Sequence, residues 1–321
     1  MKHIAHWDEA EKKYRSEGDI GGHWTMLGQA AQSVGAGVRR IQVDPGKRST
    51  ALHAHGAEEE VFFVLGGAGL LWQGDTACTV GPGDCIVHLA EREAHTLRAG
   101  SDGLDVLAFG TRVQVEICHL PRAGMAWAGP TVLTAPGFQN LWKRDAESGP
   151  VQPPAPGPRP KNVVALESVT PERSDKGSSR MSYRGLGATA GSVKAGIDYA
   201  TIDPGAVGWP PHCHSAEEEI FVILDGDGTL ELWPAPVPLS QGVEREGIPI
   251  RAGHVIARPP ATRIAHAFQA GPNGLTMLIY GTRRPNDLCW YPRSNKIFWR
   301  GLGVIGRIES LDYWDGEDRI W

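Results

Sequence analysis

The chain has 321 residues, 41 glycines, 24 prolines and a net charge of −5. That is enough for two domains of ordinary size, each able to bury its own core. No basic block suits nucleic acid, no basic amphipathic stretch suits a membrane surface, and no apolar run is long enough to span a bilayer.

In chain order, the polar start MKHIAHWDEAEKKYRSEGD is not expected to act as a secretion signal. Helix is expected only near 7–17 and 24–32 and in short pieces near the C-terminus of each half. Short apolar or aromatic segments follow: Val61–Leu65, Leu104–Phe109, Ile220–Leu224 and Leu275–Tyr280. Gly, Pro, Asp and Asn punctuate them, which predicts an all-β sandwich or barrel rather than βαβ units. The five cysteines, Cys78, Cys85, Cys118, Cys213 and Cys289, form no CxxC pair. They are expected to be reduced thiols, mostly in cores, in a cytoplasmic protein.

The chain repeats itself, and a repeat governs the reading of a fold. SVGAGVRRIQVDPG (33–46) matches SVKAGIDYATIDPG (192–205), and HAHGAEEEVFFVL (53–65) matches HCHSAEEEIFVIL (212–224), both at an offset of 159. Further on, AHTLRAGSDGLDVLAFGTR (94–112) matches AHAFQAGPNGLTMLIYGTR (265–283) at an offset of 171. The second copy therefore carries a net insertion of twelve residues, mostly within 233–250. Between the copies, SGPVQPPAPGPRP (148–160) has six prolines in thirteen residues, a composition that favours extended linker. The expected organisation is a first domain at 1–147, a linker at 148–160 and a second domain at 161–321.

Two imidazoles two residues apart on a strand share one face. His53 and His55 form such a pair, and Glu60 opens the strand that follows, with His95 beyond a second turn at Gly81-Pro82-Gly83-Asp84. The second copy offers His212, His214, Glu219 and His266 in register, so six of the chain's twelve histidines occupy these places. Glu60 and Glu219 are the candidate ligands because each directly precedes an apolar strand. Glu58, Glu59, Glu217 and Glu218 are expected to face solvent or the rim.

The spacing HxHx4Ex6G, met by His53, His55, Glu60 and Gly67 and again by His212, His214, Glu219 and Gly226, resembles the cupin superfamily, specifically bicupins. A Pro-Gly turn followed by a histidine is the family's other motif. The first half keeps it, while Ala252-Gly253-His254 departs from it, and His95 and His266 each come one or two residues later than usual. The resemblance implies two tandem jelly-roll (double-stranded β-helix) barrels with a few short helices. It also implies four ligands pointing into each lumen, hence two sites per chain for a divalent metal.

Three imidazoles and one carboxylate suit Fe, Mn, Ni or Zn and leave two adjacent positions for a chelating small-molecule substrate. The expected function is an Fe(II) or Mn(II) oxygenase. The alternatives are a non-oxidative lyase, decarboxylase or isomerase, and a non-catalytic binding protein, which the retention of all eight ligands disfavours. Oxalate decarboxylases of this family place an arginine three residues before the first histidine. Thr50 and Trp209 stand there instead, which lowers that reading. Arg40 and Gln42, equivalent to Tyr199 and Thr201, line the lumen if the polar strand face looks inward. Trp209 is a candidate wall of the second cavity. His88 and His254 are either proton shuttles or surface residues. The paired GTR segments are expected to support barrel packing, and the aromatic-rich C-terminus to pack on the barrel or on a partner in a possible homo-oligomer.

Overall fold

The computed structural model describes residues 3–128, 131–133, 140–235 and 242–317. The protein is all-β, built as two jelly-roll barrels. The first barrel's large sheet runs in the order Val163–Ala165, Asp84–His88, Glu60–Gln73, His95–Thr111, Ala36–Val43, Ile20–Thr25, Lys12–Glu17, with Thr76–Val80 added to Glu60–Gln73. Its small sheet holds Ala54–His55, Ile117–Leu120, Met125–Ala128 and Thr131–Leu133. The second barrel repeats this plan around Glu219–Pro234 and Ile264–Gly281, with Cys213–His214 heading its small sheet.

The continuous apolar runs read as strands because both of their faces are covered. Alternation sends Phe62 and Val64 into the first barrel, with Ile41, Val43, Val106 and Ala108. It sends Val61 and Phe63 outward, into a second core shared with Ile197, Ile220, Val222 and Leu278 of the other half. Phe109 stacks on Tyr280 across that seam, ring centroids 5.1 Å apart. Each such side chain removed from water contributes roughly 1.5–3 kcal/mol, so the two barrels are held as one body.

The halves also exchange strands. Ile4–His6 pairs with His254–Arg258 of the second barrel, and Val163–Ala165 pairs with Asp84–His88 of the first. Between them, the proline-rich segment runs along the first barrel. Gly157 N–H donates to Ala77 O at 2.7 Å, and Arg159 pairs with Asp84.

The motif glycines Gly67 (φ 75°) and Gly226 (φ 79°) sit where the long strands change register. A Cβ there would lie 2.3 Å from Gly103 O and 2.1 Å from Gly274 O. Only glycine allows both the left-handed turn and this backbone approach.

Three expectations change. Segment 7–17 is not helical: Lys12–Glu17 forms a hairpin with Ile20–Thr25 around Gly18, and of 24–32 only Leu27–Ala30 is α-helical. Cross-strand pairing overrides the helix propensity of the charged run. Of the acidic residues beside Glu60 and Glu219, three do not face solvent: Glu59, Glu217 and Glu218 are buried, while Glu58 is half-buried and lines the first cavity. Glu59 crosses the seam to accept from Val193 and Lys194 N–H and from Ser192 Oγ, while Glu218 accepts from Val34, Gly35 and Ala36 N–H. The threonines of the GTR segments receive these glutamates: Glu59 N–H donates to Thr111 Oγ1 and Glu218 N–H to Thr282 Oγ1. Finally, Arg40 lies outside the first lumen, paired with Asp105 and stacked on Trp7.

All five cysteines are free thiols and four are buried. Among the described residues no helix is long and apolar enough to cross a membrane. Tyr313 and Trp314 lie at the surface, packed edge to face on each other, and Trp321 falls outside the described residues.

Candidate metal centres

His55 is carried by the small sheet, opposite Cys118, and His53 bridges to His95, which closes the small sheet onto the large one. Glu60 begins the strand Glu60–Gln73 and faces His88 and Gly110 across its two ladders. The fold thus brings all four predicted residues of the first half together. One ligand atom from each of His53, His55, Glu60 and His95 lies within 4.8 Å of the others. The Nε2 atoms of His53, His55 and His95 are 3.5, 3.5 and 3.0 Å from Glu60 Oε2. The longer spacing before His95 does not displace it.

The second half repeats the convergence less tightly. His212, His214 and His266 place Nε2 at 3.7, 3.3 and 3.1 Å from Glu219 Oε2. His212, Glu219 and His266 form one close group, while His214 belongs to neighbouring groups with Cys289 and with Glu217 and Asp287.

The far nitrogens are anchored. His53 and His212 turn Nδ1 to Ala51 O and Pro210 O, each at 2.8 Å. His55 Nδ1 faces Glu116 Oε1 at 3.3 Å, and His214 Nδ1 faces Asp287 Oδ2 at 2.7 Å. Such partners fix the tautomer and leave Nε2 free to bind. Glu116 and Asp287 also accept backbone N–H groups just after each HxH pair, from Gly56, Ala57 and Glu58 and from Ala216 and Glu217. Reading for HxH and strand-opening glutamates misses these two carboxylates. They are visible in retrospect: both stand two residues before the repeated cysteine, at the offset of 171.

Electrostatics differ within each quartet. Burial alone would lower the His55 pKa, but Glu60, with Glu116 and Glu58 behind it, raises it to about 9. Glu219 and Asp287 likewise overcome burial at His214 and raise it to about 10. Burial lowers His95 to about 4 and His266 to about 3. Despite burial, the surrounding histidines hold Glu60 and Glu219 well below the usual carboxylate range.

One position behind the quartets is not shared. His88, buried rather than superficial, stacks flat on His95 with centroids 3.5 Å apart. The residue facing Glu219 in the same ladder position is Arg258, also buried. His254 lies at the exchanged strand, edge to face with His6, rather than at either quartet.

Each quartet opens into a cavity. The first, about 470 Å³, is lined on one side by Ile41, Phe62, Ala108 and Leu120, and elsewhere by Arg15, Arg39, Arg112, Trp127 and Trp142. The second, about 490 Å³, includes Tyr183, Asp198, Trp209, Phe298 and Arg300. Trp209 is therefore a wall of it, as expected. Arg48, two residues before Thr50, is buried in ion pairs with Asp19 and Asp145 and lines neither cavity.

A cupin-domain family model matches residues 39–109, a minority of the chain. No curated protein matches it in sequence. The fold is similar to that of Bacillus subtilis oxalate decarboxylase, a protein with Mn(II) centres, at 14% identity and TM-score 0.58 over 88% of this chain and 78% of that one. It is also similar to the formate complex of Lactobacillus farciminis oxalate decarboxylase, at 14% identity and TM-score 0.59 over 87% of this chain and 86% of that one. At such identity the likeness speaks for the fold alone.

Proposed function

We propose that the protein is a metal-dependent enzyme acting on a small chelating substrate. In this reading His53, His55, Glu60 and His95 hold one divalent cation, and His212, His214, Glu219 and His266 hold a second. The carrying observation is the convergence of three imidazole nitrogens on one carboxylate, with His53, His55 and Glu60 lining a cavity. The donor set fits a cation: Nε2 of His55, His214 and His266 is buried without a hydrogen-bond partner. Uncompensated buried polar atoms are costly and call for a partner. A redox-active ion such as Fe(II) or Mn(II), if held by these residues, would supply Lewis acidity toward a chelating substrate and redox capacity toward dioxygen. The chain's own contribution is to orient the imidazoles through Ala51, Glu116, Pro210 and Asp287, and to keep one side of the first cavity apolar.

The apolar lining residues Ile41, Phe62, Ala108 and Leu120 support an oxygenase, because dioxygen is poorly hydrated and partitions into apolar surroundings. The likeness in fold to oxalate decarboxylases supports a second reading, non-oxidative decarboxylation, but Arg48 is committed to Asp19 and Asp145. Metal analysis of protein expressed with Mn(II) or Fe(II), followed by oxygen-electrode assays on chelating substrates, tests the choice. Two ions per chain and substrate-dependent oxygen uptake are expected. Substrate loss without oxygen uptake would move the assignment to the lyase class, and protein that takes up neither metal would end it.

A further inference from the structure

We infer that the first cavity recognises an anionic planar ligand, an aromatic carboxylate with an oxygen on the neighbouring ring carbon, and that the second cavity rejects it. This rests on the metal reading of the first quartet. Arg39 shares its strand face with Ile41 and lines the first cavity. Arg15 and Arg112 line the same cavity, and none of the three has a carboxylate partner among the described residues. Among the described residues the Arg112 guanidinium donates to Ser33 O, and Arg15 lies over the Trp142 ring at 5.4 Å. Beyond the candidate ligand Glu60, Glu58 is the one carboxylate among the lining residues, so the cavity is net positive.

Guanidinium groups recognise carboxylates through paired, planar hydrogen bonds. Trp127 and Trp142 add flat apolar walls beside them, which suits a ring better than a small aliphatic acid. A carboxylate held by arginine, with its ring against tryptophan, would leave the adjacent oxygen to face the quartet.

The internal repeat supplies a control. At the offset of 159, Arg39 corresponds to Asp198, which lines the second cavity on the equivalent strand. The charge at one cavity-lining position is thus reversed between barrels. In the second cavity Arg300 is already paired with Glu217, and Tyr183 with Glu172. An anion finds no free guanidinium there among the lining residues described.

The test uses full-length Mn(II)-loaded protein, with binding followed by calorimetry and tryptophan fluorescence. The probes are 2-hydroxybenzoate, its neutral isostere 2-hydroxybenzamide, and oxalate as an anion without a ring. One equivalent of 2-hydroxybenzoate should bind at least tenfold more tightly than either comparator. Arg39→Asp, which copies the second barrel, should weaken it at least tenfold with Mn(II) content unchanged, while Asp198→Asn should leave it alone. Equal binding of 2-hydroxybenzoate and 2-hydroxybenzamide, or an Arg39→Asp variant that binds like wild type, overturns the inference. Mn(II) content is measured on the same samples. Protein lacking Mn(II) overturns the metal reading beneath it, whereas loaded protein without the carboxylate preference overturns this inference alone.

Discussion

His55 sits between two carboxylates, Nε2 at 3.5 Å from Glu60 and Nδ1 at 3.3 Å from Glu116. Its pKa of about 9 means that the metal-free site holds a proton through the neutral range. A ligating imidazole must be neutral, so a cation entering this site has to displace that proton. The sign follows: affinity rises with pH up to about 9 and falls below it, by roughly tenfold per pH unit for one proton released. Mn(II) titrations at pH 6, 7 and 8 should show that slope for the first site, and a pH-independent affinity would contradict it. Glu116→Gln should weaken metal binding by about 10–100-fold, the usual cost of losing an outer partner of a ligating histidine. Calorimetry on the variant checks this, with circular dichroism to confirm that the loop after His55 stays folded.

At the level of elements, the HxH strand and the strand opened by Glu60 were legible because a period of two and an apolar run survive in a single sequence. The partners of Glu59 and Glu218 were not legible. Each lies about 130–180 residues away, in a loop whose own sequence carries no sign of a bound carboxylate. The same blindness hid the parity of Arg40. Its strand is covered by apolar residues on both faces and carries an arginine on each, so polarity alone does not mark the cavity side, and Arg39 rather than Arg40 lines the cavity. Helix was overread at 7–17 because a charged run looks alike in a helix and in an exposed hairpin. The seam carries its own prediction. Glu59→Ala would remove the carboxylate that accepts from Val193 and Lys194 N–H and from Ser192 Oγ across the seam and should cost on the order of 2 kcal/mol. Glu58→Ala, at a half-buried position, should cost less. Chemical denaturation of the two variants side by side measures the difference, and equal losses would contradict the clamp. Deleting residues 1–7 should unprotect those amides of His254–Arg258 that point to the deleted segment, such as Ala257 N–H on His3 O, read by hydrogen exchange, while those facing Glu219–Pro234 stay protected.

Across the whole molecule, one duplicated barrel carries two unequal quartets, and the inequality bears on how they fill. Arg258 occupies the place of His88, is 5% exposed, and leaves Nε without a partner while Nη2 donates to Ile264 O at 3.2 Å. Burial lowers its pKa to about 10 against the pull of Glu219, so it stays charged at neutral pH. Three neutral imidazoles, one carboxylate and a divalent ion sum to +1. In the second barrel the guanidinium makes this +2. At an effective dielectric of ~20, unit charges about 4 Å apart interact by about 4 kcal/mol, and the interaction falls off inversely with distance. The added repulsion is therefore large enough to separate the two affinities by at least tenfold. Mn(II) added stepwise to metal-free protein, with free ion followed by its EPR signal, should show one tight equivalent and one weaker. His55→Ala should remove the tight class and His214→Ala the weak one. Arg258→His, which restores the first barrel's residue, should draw the two affinities together, whereas two equal sites in the wild-type protein would show that Arg258 does not set the difference.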